Sequence, residues 1–597
     1  MCFVRKGSLI CGMVLNADLI KTALGKRTAD LTVKGGYLIN VYTEEAYRAD
    51  VAIAGNRIAA VDESLPDGRM VVNVDGMYLA PGFIDSHTHV EMSFLTLTEF
   101  GKIALKHGTT CVMEEPHEIA NVLGLRGVKA LVEEAKTLPV RFYFQIPSCV
   151  PSSIHETSGA ALTLKDVKEG LKLPRVVGLG EFMNVPSILR ADRGALRKIE
   201  VARRLGAVVE GHCPGLEGCE LNAYASTGIS SDHEAFQPLE GVRKLRAGLT
   251  LEIREGSTVK NLKDLLKPIL KLNLSLENCC LATDDILPGD LEALGYMDYV
   301  VRRAIEEGVD PVKAVKMATL NPARHFRLEQ DLGSVTPGKL ADIVVLKNLQ
   351  KVEVDSVILN GKIAYHRGDI RVPFKKFRFP SWAYNTVKLK RKIKREELKV
   401  RVQGFSGSRV LVNVIRITEG QAYTLREKRW MKVRDGEVLG DEDAAKVFVI
   451  ERHGKRGGVG KGFIAGLGLR KGAISSTVGH DAHNIIVAGH DVEDVYLAFR
   501  RLFEIKGGIV IVQDGEVTCD LPLPIAGLMS DEKYERVLRR LEELEREARK
   551  LGVSIKSPFV QLSFISLTSI PEIRLTDLGL FDVKANRFID LIEEAKP

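Results

Sequence analysis

Met77-Tyr-Leu-Ala-Pro-Gly-Phe-Ile-Asp-Ser-His-Thr-His89 is an apolar run that ends in an acid and two histidines. On an extended strand, side chains at i and i+2 share a face. His87 and His89 can therefore both turn toward one metal ion at the strand's end. Working outward, short apolar runs recur at 79–85, 109–115, 141–148, 176–183, 207–213, 228–233, 248–254 and 278–285. Each is followed by a stretch of helical pattern, such as 128–137, with Glu133 and Glu134 on its polar face, or 296–307, stopped by Gly308. Eight strand–helix units predict a parallel (β/α)8 barrel.

The barrel is expected at 77–330, within a chain whose 597 residues call for two to four domains. Residues 30–61 alternate strand-like runs with turns at Gly35-Gly36 and Gly55-Asn56. Further strands are expected at 333–346 and 357–364, the second punctuated by Asn360-Gly361. These flanks, 1–76 and 331–385, are expected to form one small β domain. The run 388–399, rich in Lys and Arg, reads as a solvated linker. It opens a separate C-terminal α+β domain, 386–597, with strands near 410–417, 446–450, 485–488 and 508–512 and a charged helix at 531–551.

Composition narrows the class. The net charge of +7 is mild for this length and gives no nucleic-acid footprint. No stretch approaches the roughly 18 apolar residues a bilayer requires. The N-terminal apolar stretch 9–15 is broken by Gly12 and followed by Asn16 and Asp18, so no signal peptide is expected. Nine scattered cysteines with no C-x-x-C pair suggest free thiols in a cytoplasmic protein.

The chemistry lies at the strand ends. After His87 and His89 come Glu181 on the fourth run, His212 on the fifth, His233 and Glu234 on the sixth, and Asp284 and Asp285 on the eighth. Barrel enzymes build their sites at this end. Four imidazoles and two carboxylates exceed the needs of one tetrahedral ion and suit two divalent ions, with Mn, Fe and Zn all compatible. Such ions lower the pKa of bound water toward about 7, and Asp284 can act as general acid–base. Asp285, one step on, should point to the other side of its strand.

These motifs resemble the amidohydrolase superfamily: 77–89 its entry strand, and Leu332-Gly-Ser-Val-Thr-Pro-Gly-Lys-Leu-Ala-Asp-Ile-Val-Val-Leu346 its return to the small β domain. Within it the chain resembles the adenine deaminase family. That resemblance rests on Pro116-His-Glu-Ile-Ala-Asn121, Glu210-Gly-His-Cys-Pro-Gly215, Ser231-Asp-His-Glu234, Thr283-Asp-Asp285, Gly479-His-Asp-Ala-His-Asn-Ile-Ile486 and Leu521-Pro-Leu-Pro-Ile-Ala-Gly-Leu-Met529. It implies hydrolytic deamination of adenine to hypoxanthine and ammonia at a dinuclear centre, with Mn(II) favoured. His87 and His89 would bind one ion and His212 and His233 the other. Glu181 would bridge them, and Asp284 would be both ligand and acid–base.

The fourth run offers no Lys, the bridge in many superfamily members, and Met113-Glu-Glu115 stands where a shorter acid is expected. Glu234 and Glu118 are candidates to protonate the purine ring, with His117 beside Glu118 at the substrate. Either glutamate could instead orient a neighbouring histidine. The His480, Asp481, His483 cluster sits among glycines and Asn484, favouring a structural or lid-like turn over a third metal site. A homo-oligomer acting on a small purine base is expected, with no nucleic-acid or membrane partner. The His-x-Glu with Pro-Cys-x-x-Cys pattern of nucleic-acid deaminases is absent. The competing reading is another amidohydrolase acting on a cyclic amide or an N-acetyl amino sugar.

Overall fold

A computed structural model describes residues 17–402, 404–405 and 407–596. The stretch 9–15, read as no signal peptide, lies outside the described residues. Eight short parallel strands carry the middle of the chain: β1 (Phe83–Thr88), β2 (Thr109–Glu114), β3 (Arg141–Ile146), β4 (Val176–Phe182), β5 (Val208–Gly211), β6 (Ser231–Asp232), β7 (Thr250–Arg254) and β8 (Cys279–Ala282). The first five form one sheet in the order β5-β4-β3-β2-β1 and the last three another, β6-β7-β8. The sheets touch at both edges. Asp284 N donates to His87 O at 2.9 Å, and Ser230 N donates to Val209 O at 2.8 Å.

Helices between the strands bury one apolar stripe each, as their period dictates. In Leu125–Ala135, Val128, Leu131, Val132 and Ala135 are buried. Met297–Glu306 is followed by Gly308 at φ 100°, a left-handed position that glycine adopts without strain.

The expected first run, 79–85, proves to straddle two sheets. Tyr78–Pro81 pairs antiparallel with Ile343–Asn348 in a nine-stranded sheet, although sequence reading gave residues 77–81 to the barrel. The break falls at Gly82, where a Cβ would lie 2.2 Å from Thr110 Oγ1. The same nine-stranded sheet joins Leu31–Asn40 and Glu45–Ala54, from before β1, to Glu353–Leu359 and Lys362–His366, from after β8. Of the expected strand 333–346, only Ile343–Asn348 is extended. The preceding segment is looped, with Gly333 and Gly338 both at positive φ.

After the basic segment, where Arg391 and Arg395 pair with Glu397 and Glu493, a ten-stranded sheet is flanked by helices Val492–Glu504 and Tyr534–Lys550. One contiguous apolar core contains Phe142 and Leu281 from the middle of the chain as well as Ile486 and Phe564 from the C-terminal part. Among the described residues, no helix is long and apolar enough to cross a membrane.

One buried ion cluster anchors the end of β6. Lys244 lies 2.6 Å from Asp232 and 2.7 Å from Glu240, all essentially without solvent contact. Despite its burial, Asp232 is held below the usual carboxylate range by Lys244. Replacing Lys244 by Met strands two buried carboxylates. Lys244→Met should lower stability by about 3–5 kcal/mol, read as a shifted urea-unfolding midpoint.

Candidate active site

Strand ends position the polar groups: His87 and Glu181 lie within strands, and His89, His212, His233 and Asp284 within two residues of a strand's end. His87 and His89 leave β1 on one face, and their Nε2 atoms approach to 3.2 Å. The His233 ring stacks on His87 with centroids 3.9 Å apart. Glu181, inside β4, reaches across the site. One carboxylate oxygen lies 2.7 Å from His212 Nδ1 and 3.2 Å from His233 Nε2; the other lies 3.4 Å from His89 Nε2. Asp284 Oδ1 is 3.3 Å from His89 Nε2 and 3.8 Å from His87 Nε2. Thus one carboxylate touches imidazoles from both histidine pairs. Burial alone would raise the Glu181 pKa, yet His233, His117 and His212 hold it well below the ordinary range. Burial and the neighbouring imidazoles push His87 the other way, keeping its ring neutral.

A hydrogen-bonded frame fixes these positions. The buried Asp85 accepts from Thr283 Oγ1 at 2.5 Å, Tyr296 Oη at 2.6 Å, and the backbone N–H of His87 and Thr283. Tyr224 Oη donates to Phe182 O and accepts from His212 N, which ties β4 to β5.

The C-terminal part closes the site from above. His480, Asp481, Phe564 and Ile570 line the same pocket as His89, Glu181, His212, His233, Asp284 and Asp285. The 479–484 turn is tight, with His483 N donating to Gly479 O at 2.7 Å and His483 at φ 56°.

Residues 78–364 match the Amidohydrolase family, and residues 421–587 match the Adenine deaminase C-terminal domain. An adenine deaminase of Archaeoglobus fulgidus is 44% identical over 577 residues, 96% of this chain and 97% of its own length. Those of Staphylothermus marinus and Methanothrix thermoacetophila are 40% and 42% identical, each over 97% of this chain and 98% and 99% of their own lengths.

The chain belongs to the adenine deaminase family.

Several features of this family member escape sequence reading. Asp285 does not face away from the site. β8 ends at Ala282 and Asp284 adopts φ 61°, so strand alternation has lapsed and both aspartates line one pocket. Burial and the Asp284 charge push Asp285 up to about 7. Glu118, expected either to protonate the ring or to orient a histidine, lies among three imidazoles. It is fully buried against His480 Nδ1 at 2.8 Å, His483 Nε2, and His117 Nε2 at 3.4 Å. Against the burial penalty, these imidazoles hold its carboxylate well below the usual range. His117 does lie at the site, 2.5 Å from Glu115 and 3.3 Å from Glu181.

Two further residues were given no role by the sequence reading. Glu115 fills the space beside Gly180, where a Cβ would meet its carboxylate at 2.2 Å, and it joins His89, His117 and Glu181 in one potential ligand group. Arg254, the last residue of β7, donates to both Glu234 and Asp284, the latter at 2.5 Å. Burial works against the Asp284 charge, but Arg254 and His89 keep it ionised.

The donor set fits divalent cations. Imidazole nitrogens face one another at 3.2 and 3.3 Å in the two histidine pairs, within reach of Glu181 and Asp284. Such convergence suits a shared cation better than direct contact. Arg254→Met leaves Glu234 and Asp284 without their cation, and a loss of about 10–100-fold in activity or metal affinity is expected. Steady-state rates measured beside metal content test this.

Proposed function

We propose that the protein hydrolyses adenine to hypoxanthine and ammonia at a two-cation site, in the mouth of a (β/α)8 barrel built from β1–β8. This reading takes 1–76 and 331–385 as one small β domain and 386–597 as a C-terminal domain. Its chief support is that four imidazoles, Glu181 and Asp284 converge from the ends of five strands in a member of the adenine deaminase family.

His87, His89, His212, His233 and Asp284 would hold the cations, with Glu181 between the two histidine pairs. Bound there, divalent cations make water available as hydroxide near neutral pH. Asp284 accepts a proton from the attacking water and passes it to the departing amino nitrogen. The water oxygen stays on C6, the second water proton ends on the ring of the lactam product, and ammonia leaves. Arg254 keeps Asp284 ionised and therefore able to accept; Glu234, paired to Arg254, shares that positioning role.

A free base suits this pocket better than a nucleotide. Among its lining residues, Arg254 is the one Arg or Lys, and it is committed to two carboxylates. Phosphate recognition generally recruits free guanidinium, ammonium or helix N-termini. Mn(II), two ions per chain, purine salvage, a homo-oligomer and a cytoplasmic location complete the reading.

Ammonia release from a panel of adenine, adenosine, AMP, cyclic amides and N-acetyl amino sugars, assayed with Mn(II), should single out adenine. Preferential turnover of any other member overturns the assignment. Chelation should abolish activity, and titration with Mn(II) should restore it with an endpoint near two equivalents; an endpoint at one removes the dinuclear centre. Asp284→Asn should lower kcat by about 10²- to 10⁴-fold with metal retained. Near-full turnover by that variant would move the acid–base role elsewhere.

A further inference from the structure

Glu118 is enclosed by three imidazoles, and no group yet assigned stabilises charge on the purine ring. The roof of the pocket supplies one. His480 lies in the C-terminal part, is 4% exposed, and lines the pocket. Its two ring nitrogens differ. Nδ1 sits 2.8 Å from Glu118 Oε1, and an ionised carboxylate only accepts, so Nδ1 carries a hydrogen. Nε2 is buried without a hydrogen-bond partner, and its nearest acid oxygen, Asp285 Oδ2, is 3.8 Å away. Asp285 Oδ1 is likewise buried and unpartnered on the same wall. Buried polar atoms are nearly always paired; these two are among several unpartnered polar atoms lining the pocket, and their place beside each other, away from the paired histidines, marks where a ligand's polar edge belongs.

The support behind His480 is extensive. Phe564 stacks on its ring with centroids 5.2 Å apart, and Ser566 Oγ donates to its carbonyl at 2.9 Å. Asn484 Nδ2 donates to Thr157 O, and His453 Nε2 lies 2.7 Å from Ala482 O. The turn is therefore pinned on both sides.

Resting on the deaminase reading above, we propose that His480 is a substrate-contacting residue: its Nε2–H donates a hydrogen bond to a purine ring nitrogen that carries no hydrogen in either adenine or the lactam product, Asp285 contacts the same edge, and Glu118 acts only to position His480. Attack at C6 drives electron density onto the ring nitrogens. A fixed donor aimed there binds the transition state more strongly than the ground state. With Nδ1–H held by Glu118, Nε2 donates when the ring is cationic, and Glu118 favours that form over the burial penalty, raising His480 to about 9. The C-terminal domain thereby supplies part of the reaction centre, and specificity for a purine is set across the two domains.

The test uses the full-length holoenzyme. His480→Ala and His480→Gln are compared with the unaltered protein for adenine turnover, for hypoxanthine affinity by calorimetry, and for bound metal. Loss of one charged hydrogen bond predicts a roughly ten- to hundredfold weaker hypoxanthine Kd in His480→Ala. A fall in kcat/KM at least as large is expected, with metal content unchanged. His480→Gln, which keeps a neutral donor, should recover part of both and decides the matter if His480→Ala does not fold. Unchanged Kd and kcat/KM in the variants overturn the proposal. So does a third equivalent of metal in the unaltered protein that the variants lose, since His117, Glu118 and His480 would then be ligands. Should the unaltered protein leave adenine intact, the deaminase reading falls; a hypoxanthine Kd that still depends on His480 would then uphold the contact on its own.

Discussion

Three of the site's side chains, His87, His89 and Asp284, hang from the seam held by the four hydrogen bonds that Asp85 accepts. This carboxylate sits where β1 meets the segment after β8, and it takes donors from both, the His87 and Thr283 amides and the Thr283 hydroxyl, and from Tyr296, which precedes the helix Met297–Glu306. A buried carboxylate is tolerated only when its lone pairs are met, so the seam has little freedom to slide. His87, His89 and Asp284 all project from within a few residues of it. Their distances are set by backbone register and not by the rotamers of long side chains.

This explains which parts of the site were legible in the sequence. Ligand types at i and i+2, or at the last position of an apolar run, can be placed because the period of an extended strand is fixed. His87, His89, Glu181, His212 and His233 are such cases. Asp285 was misplaced because alternation was carried past the end of β8, into a residue at φ 61°. Arg254 ends a strand as visibly as Glu181 does, but a lone cation has no motif; its meaning appears only when Glu234 and Asp284 arrive from neighbouring strands. Glu115 was noted only as an unexpected length, and the reason it fits is an empty Cβ position at Gly180.

The fold was legible to a similar depth. Eight runs and the β-rich flanks were visible, because burial leaves apolar runs and turns leave glycines. The handover at Gly82 was not, since the sequence is continuously apolar through a change of sheet. The docking of the C-terminal domain left no local signature either. Asn484 and Thr157 are 327 residues apart, and their contact depends on a shared core that no window of sequence reveals.

The Gly82 handover has a mechanical meaning. Residues 78–88 are one covalent ribbon that serves two sheets: its first half is hydrogen-bonded to Ile343–Asn348, and its second half carries His87. A side chain is excluded at Gly82 by Thr110, so the crossing is close-packed. Four strand residues, Phe83–Ser86, separate that crossing from His87, so the outer sheet and the first imidazole share one short, loop-free segment. The outer sheet thus works as an abutment for a strand whose far end carries a site histidine.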